Sequence, residues 1–133
     1  IIRMTLDIFN GDKDSCGITS GGGTESIILA ILAYREQGKA RGIKHPNIVM
    51  SQTAHAAFDK ACFYLKVELK KIPLVNRFDC DVQAMKKAVD SNTVCIVASA
   101  PDYGFGLFDP VPAISQIALD NNIGMHLDCC IGS

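Results

Sequence analysis

Candidate site residues follow three apolar runs of this sequence. His55 comes shortly after one run, Pro101 and Asp102 follow a second, and Asp128 closes a third. An imidazole can stack against an aromatic ligand, and a carboxylate can hold a proton on a ring nitrogen. If the runs are parallel strands, these residues meet beyond the carboxyl ends of the strands, where open sheets bind their ligands.

A glycine triplet could bind an anion. Gly21, Gly22 and Gly23 precede a long apolar pattern that begins at Thr24 and has helical spacing. The first backbone N–H groups of a helix have no intrahelical partner, and the positive end of the helix dipole favours negative charge. The run TSGGGTES matches neither the dinucleotide fingerprint nor the phosphate loop of nucleoside triphosphatases. A nucleotide site is therefore weakly supported.

An anion cradle, an imidazole and a carboxylate on one sheet edge are what pyridoxal 5'-phosphate (PLP) requires. Its phosphate needs backbone donors, its ring needs a stacking partner, and its pyridine nitrogen needs a carboxylate. Plainer interpretations stay open for each feature. The glycines could form a turn without a ligand, His55 could be a hydrogen-bonded core residue, and Asp128 could pair with a structural donor.

Metal binding and nucleophilic catalysis are less well supported. His126 and Asp128 would lie on one face of a strand, but the cysteines at 129 and 130 would point to opposite faces and could not share one tetrahedral ion. No metal site is predicted. The hydroxyl and thiol candidates also lack a recognisable base and orienting group; they are Ser20, Ser51 and Cys130.

The hydrophobic pattern predicts the elements that position these residues. Strands are expected at 47–51, 67–73, 93–99 and 124–128, and helices at 24–41, 54–66, 81–90 and 111–121. Thr24 is the expected N-cap of the first helix, and Asp109 that of the last, with Pro110 at its first position. Residues 1–10 are apolar but receive no assigned element. Strands alternating with helices predict an α/β fold with a mostly parallel sheet covered on both faces.

Composition restricts the classes of function. The chain has 133 residues, 48% hydrophobic, with a formal net charge of −1, so one domain at most is expected and no general attraction to nucleic acid. Six cysteines without a C-x-x-C pair favour a reducing compartment. The longest apolar stretch, Ile27 to Tyr34, is too short to span a bilayer, and no membrane contact is expected. Because both ends interrupt apolar patterns, residues 1–133 are expected to be a partial domain truncated at both ends.

Five motifs carry a family resemblance in their order and separations. They are Asn10-Gly11 with Ser15-Cys16-Gly17, TSGGGTES at 19–26, QTAHAAF at 52–58, FDPV at 108–111 and HLDCC at 126–130. Together they resemble the sphingosine-1-phosphate lyases, within the PLP-dependent group II decarboxylase-like enzymes of fold type I. The resemblance covers essentially the whole chain and implies a part of the large, cofactor-binding domain.

The resemblance implies roles for the matched positions. His55 would stack on one face of the pyridine ring, Cys130 would lie near the other, and Asp128 would pair with the ring nitrogen. Gly23 and Thr24 would bind the phosphate through a backbone N–H group and a hydroxyl, with Gly22 beside them. The family pattern is TSGGTES, so this chain has one extra glycine in the cradle.

The resemblance also implies a reaction and a cellular setting. The substrate would be a phosphorylated sphingoid base, cleaved to a fatty aldehyde and phosphoethanolamine. The parent would be a homodimer, anchored in the endoplasmic reticulum membrane with a cytosolic catalytic domain. An amino-acid decarboxylase remains an alternative, and so does a noncatalytic pseudoenzyme or dimerisation partner.

Two further departures from the family pattern affect these expectations. Gly104-Phe105-Gly106 stands where the lyases usually have a proline and a histidine before the glycine. The Schiff-base lysine lies downstream of the aspartate in the family, whereas this chain has no lysine beyond Lys87. This chain alone is therefore expected to be inactive. A nucleotide-binding module is a weaker alternative, because residues 40–44 lack the expected ribose-binding acid.

Overall fold

The computed structural model describes residues 1–133 as five helices and six strands. The helices are α1 Ile2–Ile8, α2 Gly23–Ala40, α3 Ala57–Leu65, α4 Val82–Ala88 and α5 Val111–Asn121. The strands are β1 Asn47–Ser51, β2 Glu68–Ile72, β3 Leu74–Val75, β4 Asp79–Cys80, β5 Thr93–Ser99 and β6 Gly124–Asp128. No helix combines the length and apolarity needed to cross a bilayer.

Four strands form one parallel sheet in the order β2-β1-β5-β6. All residues of β1 and β5 are buried, as expected for central strands covered on both faces. The alternating apolar runs produce this arrangement because each parallel crossover needs a helix to return the chain to the same sheet edge. The predicted α/β class is confirmed.

Two hydrophobic layers lie on opposite faces of the sheet. On one face α2 and α3 pack against the sheet around Ile31, Phe58 and Val97. On the other face α4 and α5 pack around Met85 and Ile114. The chain moves from β1 to β2 in one direction and from β5 to β6 in the other. Because parallel crossovers are right-handed, this reversal sends α3 and α5 to opposite faces and opens a crevice between the carboxyl ends of β1 and β5.

Both predicted N-caps are wrong. Helix α2 begins at Gly23 with Gly22 as its N-cap, so Thr24 lies inside the first turn. Helix α5 begins at Val111 with Pro110 as its N-cap, and the Asp109 carboxylate instead accepts the Ser99 N–H at 2.7 Å. The Thr24 side chain therefore makes no cap hydrogen bond, and the Asp109 side chain bonds to a strand instead of to the helix.

The connections contain structure that the pattern did not reveal. Residues 54–56, predicted as the start of a helix, form a turn that leads into α3 at Ala57. A short antiparallel hairpin of β3 and β4 follows Pro73, with Asn76 and Arg77 at positive φ in its turn. Strands of two residues are too short to show a period. The N-terminal residues form α1, none of whose residues is buried.

A partly buried polar network joins the amino ends of β1 and β5. Thr93 Oγ1 donates to Asn47 Oδ1 at 2.7 Å, and Asn47 Nδ2 donates to Asp90 Oδ1 at 2.9 Å. Lys70 Nζ donates to Asp90 Oδ2 at 2.6 Å. These donors, Lys70 foremost, hold the pKa of Asp90 well below its ordinary value. The network satisfies polar groups that would otherwise be costly to bury.

Acid should weaken this network. A carboxyl whose pKa is lower in the folded protein contributes stability above its unfolded pKa, about 3.9, and loses it as the pH falls toward the folded pKa. Part of the Asp90 side chain is exposed, so solvent screening keeps the contribution modest. When the pH is lowered from 6 to 3, we expect the melting temperature of Asp90→Asn to fall less than that of the wild type. Equal losses in a scanning calorimeter would contradict this.

Candidate active site

A cavity of about 350 Å³ lies at the carboxyl edge of the sheet, within the size range of small-molecule sites. Five of the six residues that the resemblance assigns to the cofactor line it; they are Gly23, Thr24, His55, Asp128 and Cys130. The sixth, Gly22, lines a neighbouring groove that shares Gly23 and Thr24 with the cavity. Of the two residues that follow the strand ending at Ser99, Pro101 lines the cavity and Asp102 does not. The fold thus brings the start of one helix and the ends of two strands around a single space.

The start of α2 supplies the anion-binding end of the cavity. No side chain caps this helix, so its first backbone N–H groups have no partner within the helix or from a cap. A Cβ placed on Gly23 would lie 3.6 Å from Cys130 Sγ, toward the cavity. That distance is an ordinary van der Waals contact, so the start of the helix and Cys130 lie on facing walls of the cavity. Gly21 N–H donates to Glu25 Oε2 at 2.5 Å, which holds the start of the glycine run against the first turn.

His55 has a fixed orientation in the turn before α3. Its Nδ1 accepts the Ala57 N–H at 3.1 Å, which secures the half-buried ring to the helix start. The Tyr103 ring packs edge-to-face against it, with centroids 5.4 Å apart and an interplanar angle of 82°. An imidazole held in this way at a cavity wall presents an aromatic surface to a planar ligand.

Asp128 ends β6, and the chain turns immediately after it. Its Oδ1 accepts the Cys130 N–H at 3.2 Å, and the side chain is half-buried. A hydrogen bond to the Asp128 carboxylate raises the pKa of the Cys130 thiol, and burial raises that of Cys129. Both thiols are therefore poor nucleophiles at neutral pH.

His126 belongs to the core on this face. Its ring packs edge-to-face on Phe58, with centroids 5.5 Å apart, and burial lowers its pKa. The structure contains no group of three or more His, Cys, Asp or Glu side chains arranged to hold a metal ion. His126 and Asp128 point to the same face, but only Asp128 reaches the cavity wall.

Four lining residues were not assigned to the site from the sequence. They are Ile27, Pro101, Tyr103 and Ile131. Ile27 follows Gly23 by one helical turn and so shares its face, a signal that the helical pattern contained. Pro101 lies just beyond the end of β5, where the sequence predicts the sheet edge, but the pattern assigns it no contact with a ligand. No sequence signal indicated that Tyr103, exposed within a loop, turns toward His55.

The loop after β5 is held by two buried carboxylates. Asp102 accepts the N–H groups of Phe105 at 2.7 Å and Leu107 at 3.1 Å, and Asp109 accepts that of Ser99. Burial raises the pKa of Asp109. Phe105, in the segment that departs from the family pattern, packs on the Phe78 ring with centroids 4.1 Å apart and does not line the cavity.

Comparison with known proteins covers nearly the whole chain. A family model for the pyridoxal-dependent decarboxylase conserved domain matches residues 3–133. Sphingosine-1-phosphate lyase 1 of Mus musculus is 46% identical over 132 residues, which is 99% of this chain and 23% of that protein. The structure of a Burkholderia pseudomallei sphingosine-1-phosphate lyase matches with a TM-score of 0.92 and 38% identity, covering 98% of this chain and 32% of that chain.

Other solved structures share the fold at lower identity. Lactobacillus brevis glutamate decarboxylase has a TM-score of 0.85 at 22% identity, covering 98% of this chain and 34% of that chain. Similarity at that level shows the architecture and does not favour the amino-acid decarboxylase alternative. The chain spans about a quarter of the length of the curated relatives it matches, such as 25% of the Drosophila melanogaster lyase.

Proposed function

The chain belongs to the pyridoxal-dependent decarboxylase family, whose cofactor is pyridoxal 5'-phosphate, and on that premise we propose that the full-length protein is a carbon-carbon lyase. Its substrates are phosphorylated long-chain bases of the sphingosine-1-phosphate type, and its products are a fatty aldehyde and phosphoethanolamine. The observation that carries this proposal is the similarity to sphingosine-1-phosphate lyases along nearly the entire chain, at 46% identity in the mouse protein.

The residues around the cavity fit the cofactor. The uncapped start of α2, with Gly23 and Thr24 at the cavity wall, provides N–H donors for a phosphate. Asp128 provides an acceptor for a protonated ring nitrogen, and His55 provides an aromatic face. This donor set matches the three chemically distinct parts of PLP, namely phosphate, ring and nitrogen. The group would supply an electron sink for the carbanion left when a bond to the substrate's amine-bearing carbon breaks.

Each residue of the site has a defined task in this proposal. Asp128 holds a proton at the ring nitrogen, because an adjacent carboxylate favours the charged form. Gly23 and Thr24 fix the phosphate, and His55 fixes the plane of the ring. Cys130, kept as a thiol by Asp128, lies close to the same space without serving as a nucleophile. The amine that would attach the cofactor covalently is not among these residues, so this chain alone is proposed to be inactive.

The whole protein is proposed to be a homodimer in the endoplasmic reticulum membrane with a cytosolic catalytic domain. The similarity to sphingosine-1-phosphate lyases supports this setting. The substrate's long hydrocarbon chain also fits an enzyme that works at a membrane, because such a chain partitions out of water. No nucleic acid partner is proposed, since the net charge is −1.

An assay of the full-length protein tests the function directly. Incubation with PLP and a long-chain base phosphate should release the corresponding fatty aldehyde, detected by mass spectrometry. A matched incubation with glutamate or an aromatic amino acid should release no carbon dioxide. Activity only toward a free amino acid would contradict the proposal and assign the protein to the decarboxylases.

The stacking role of His55 predicts a loss of cofactor affinity on truncation. His55→Ala in the full-length protein should raise the PLP dissociation constant about three- to tenfold, the effect of removing one aromatic contact. His55→Phe keeps a flat ring and should retain most of the affinity. Dialysis followed by absorbance measurement reports both variants. Equal retention by His55→Ala and wild type would identify His55 as a residue that serves only the local fold.

A further inference from the structure

Ser99 ends β5 with a hydroxyl that has no partner. The residue is 2% exposed, and its Oγ is the one buried side-chain nitrogen or oxygen in the structure without a hydrogen bond. Its backbone N–H, by contrast, donates to Asp109. Buried polar groups are rarely left unsatisfied, and those that are often belong to sites whose ligand completes them. The Ser99 hydroxyl therefore needs a hydrogen-bond acceptor on a neighbouring residue.

The sheet places Ser99 beside Asp128. The two residues are paired in register across β5 and β6, and the Ala100 N–H donates to the Asp128 carbonyl at 2.8 Å. Cys95 and Val97 of β5 belong to the core under α2 and α3, so alternation places Ser99 on that face. Asp128 lines the cavity on the same face. Neighbouring strands lie about 4.8 Å apart, so the two residues are adjacent on this face, although Ser99 Oγ makes no hydrogen bond to Asp128 in the structure.

The Asp128 carboxylate has capacity for this neighbour. It accepts the Cys130 N–H through Oδ1 and also interacts with the Cys130 thiol, whereas an ionised carboxylate offers about four acceptor positions. A serine hydroxyl rotates freely and needs only one acceptor in reach. Resting on the proposed function, we propose that Ser99 is a positioning residue whose hydroxyl donates to Asp128 when that carboxylate takes the protonated ring nitrogen of PLP.

This role makes an unusual pair of predictions for Ser99→Ala in the full-length protein. Without cofactor the substitution removes an unsatisfied polar group, so the melting temperature should stay the same or rise. With cofactor it removes a charge-assisted hydrogen bond, so the PLP dissociation constant should rise about tenfold. The pH dependence of the visible absorbance of bound PLP should also shift, because the Asp128 carboxylate loses a donor.

Ser51 is a matched control. It ends the neighbouring strand β1 and is 1% exposed, but it lies on the opposite sheet face, and its Oγ shares a 2.9 Å hydrogen bond with Thr53 Oγ1. Ser51→Ala should lower the melting temperature with and without PLP and leave the dissociation constant unchanged. Ser99→Cys, which is nearly the same size but a weak donor, should behave like Ser99→Ala and separate hydrogen bonding from packing.

Coupling to Asp128 completes the test. In an Asp128→Asn background the additional Ser99→Ala change should weaken PLP binding much less than in wild type. Wild-type affinity and spectrum in Ser99→Ala, or a loss of apo stability like that of Ser51→Ala, would overturn the role of Ser99 while leaving the proposed function intact. Failure of wild-type protein to bind PLP would overturn both.

Discussion

Asp128→Asn in the full-length protein should release aldehyde about 10²- to 10³-fold more slowly than wild type while still binding PLP. An amide is nearly the same shape as the carboxylate, so the cavity wall and the turn to Cys130 should survive. It carries no charge and cannot keep the ring nitrogen protonated. Losses of this size are typical when one preorganised electrostatic group is removed from a reacting centre. Turnover of aldehyde and PLP absorbance, measured on the same preparation, report the two effects separately.

A surface aspartate provides the matched control for that experiment. Asp59 lies on α3 and pairs with Lys71 at 2.6 Å, with 43% of its side chain exposed. Asp59→Asn makes the same chemical change away from the cavity and should keep wild-type turnover. Near wild-type turnover in Asp128→Asn would show that another group holds the ring nitrogen, and the assignment of Asp128 would have to be abandoned.

Gly124→Ala should destabilise the domain by about 2–4 kcal/mol. A Cβ on Gly124 would overlap Cε1 of the Tyr34 ring and would lie 3.1 Å from the Val94 carbonyl oxygen. Tyr34 cannot move away without cost, because its hydroxyl donates to the Met125 carbonyl at 2.7 Å in a partly buried hydrogen bond. Overpacking of a core typically costs about 1–3 kcal/mol, and the strained hydrogen bond adds about 1 kcal/mol. Denaturant unfolding with a sheet-sensitive signal measures the change.

Gly104→Ala is the comparison for this stability effect. Its Cβ would meet only Asp102 Oδ1 at 3.7 Å, an ordinary contact, and the position is exposed. The free energy of unfolding of this variant should stay within about 0.5 kcal/mol of wild type. Similar unfolding midpoints for the two alanine variants would mean that Tyr34 repacks freely and that the close approach of α2 to β6 is not required.

The sequence was most informative where burial is continuous. The runs at 47–51 and 93–99 became strands with the predicted bounds, because every residue in them is buried. The run at 124–128 also has the predicted bounds, although this edge strand is only partly buried. Caps were harder to predict, since a threonine or an aspartate near a helix start has several competing partners. Asp109 illustrates this, because a strand N–H takes its carboxylate before the helix begins. The short hairpin of β3 and β4 has too few residues to show any pattern.

The site residues also fall into those that the sequence predicts and those that it does not. His55 and Asp128 could be found because they follow strands, and the carboxyl ends of parallel strands meet. Tyr103 and Ile131 reach the cavity through the paths of irregular loops, which depend on tertiary hydrogen bonds such as those of Asp102. Ser99 looked like an ordinary strand end, because its missing partner becomes visible only when every neighbouring atom is placed.

The chain adds β2 on one side of β1 and then β5 and β6 on the other side, and this order has a consequence for folding. The walls of the cavity come from the start of α2, the turn before α3, the loop after β5 and the end of β6, segments that are distant along the chain. No single segment of the chain can therefore bind the cofactor. Bound cofactor stabilises only the folded state in which the sheet is complete, by mass action. During synthesis, PLP should not protect the chain from proteolysis until β6 has joined the sheet. A polypeptide that ends before β6 should be cleaved by proteases equally fast with and without the cofactor.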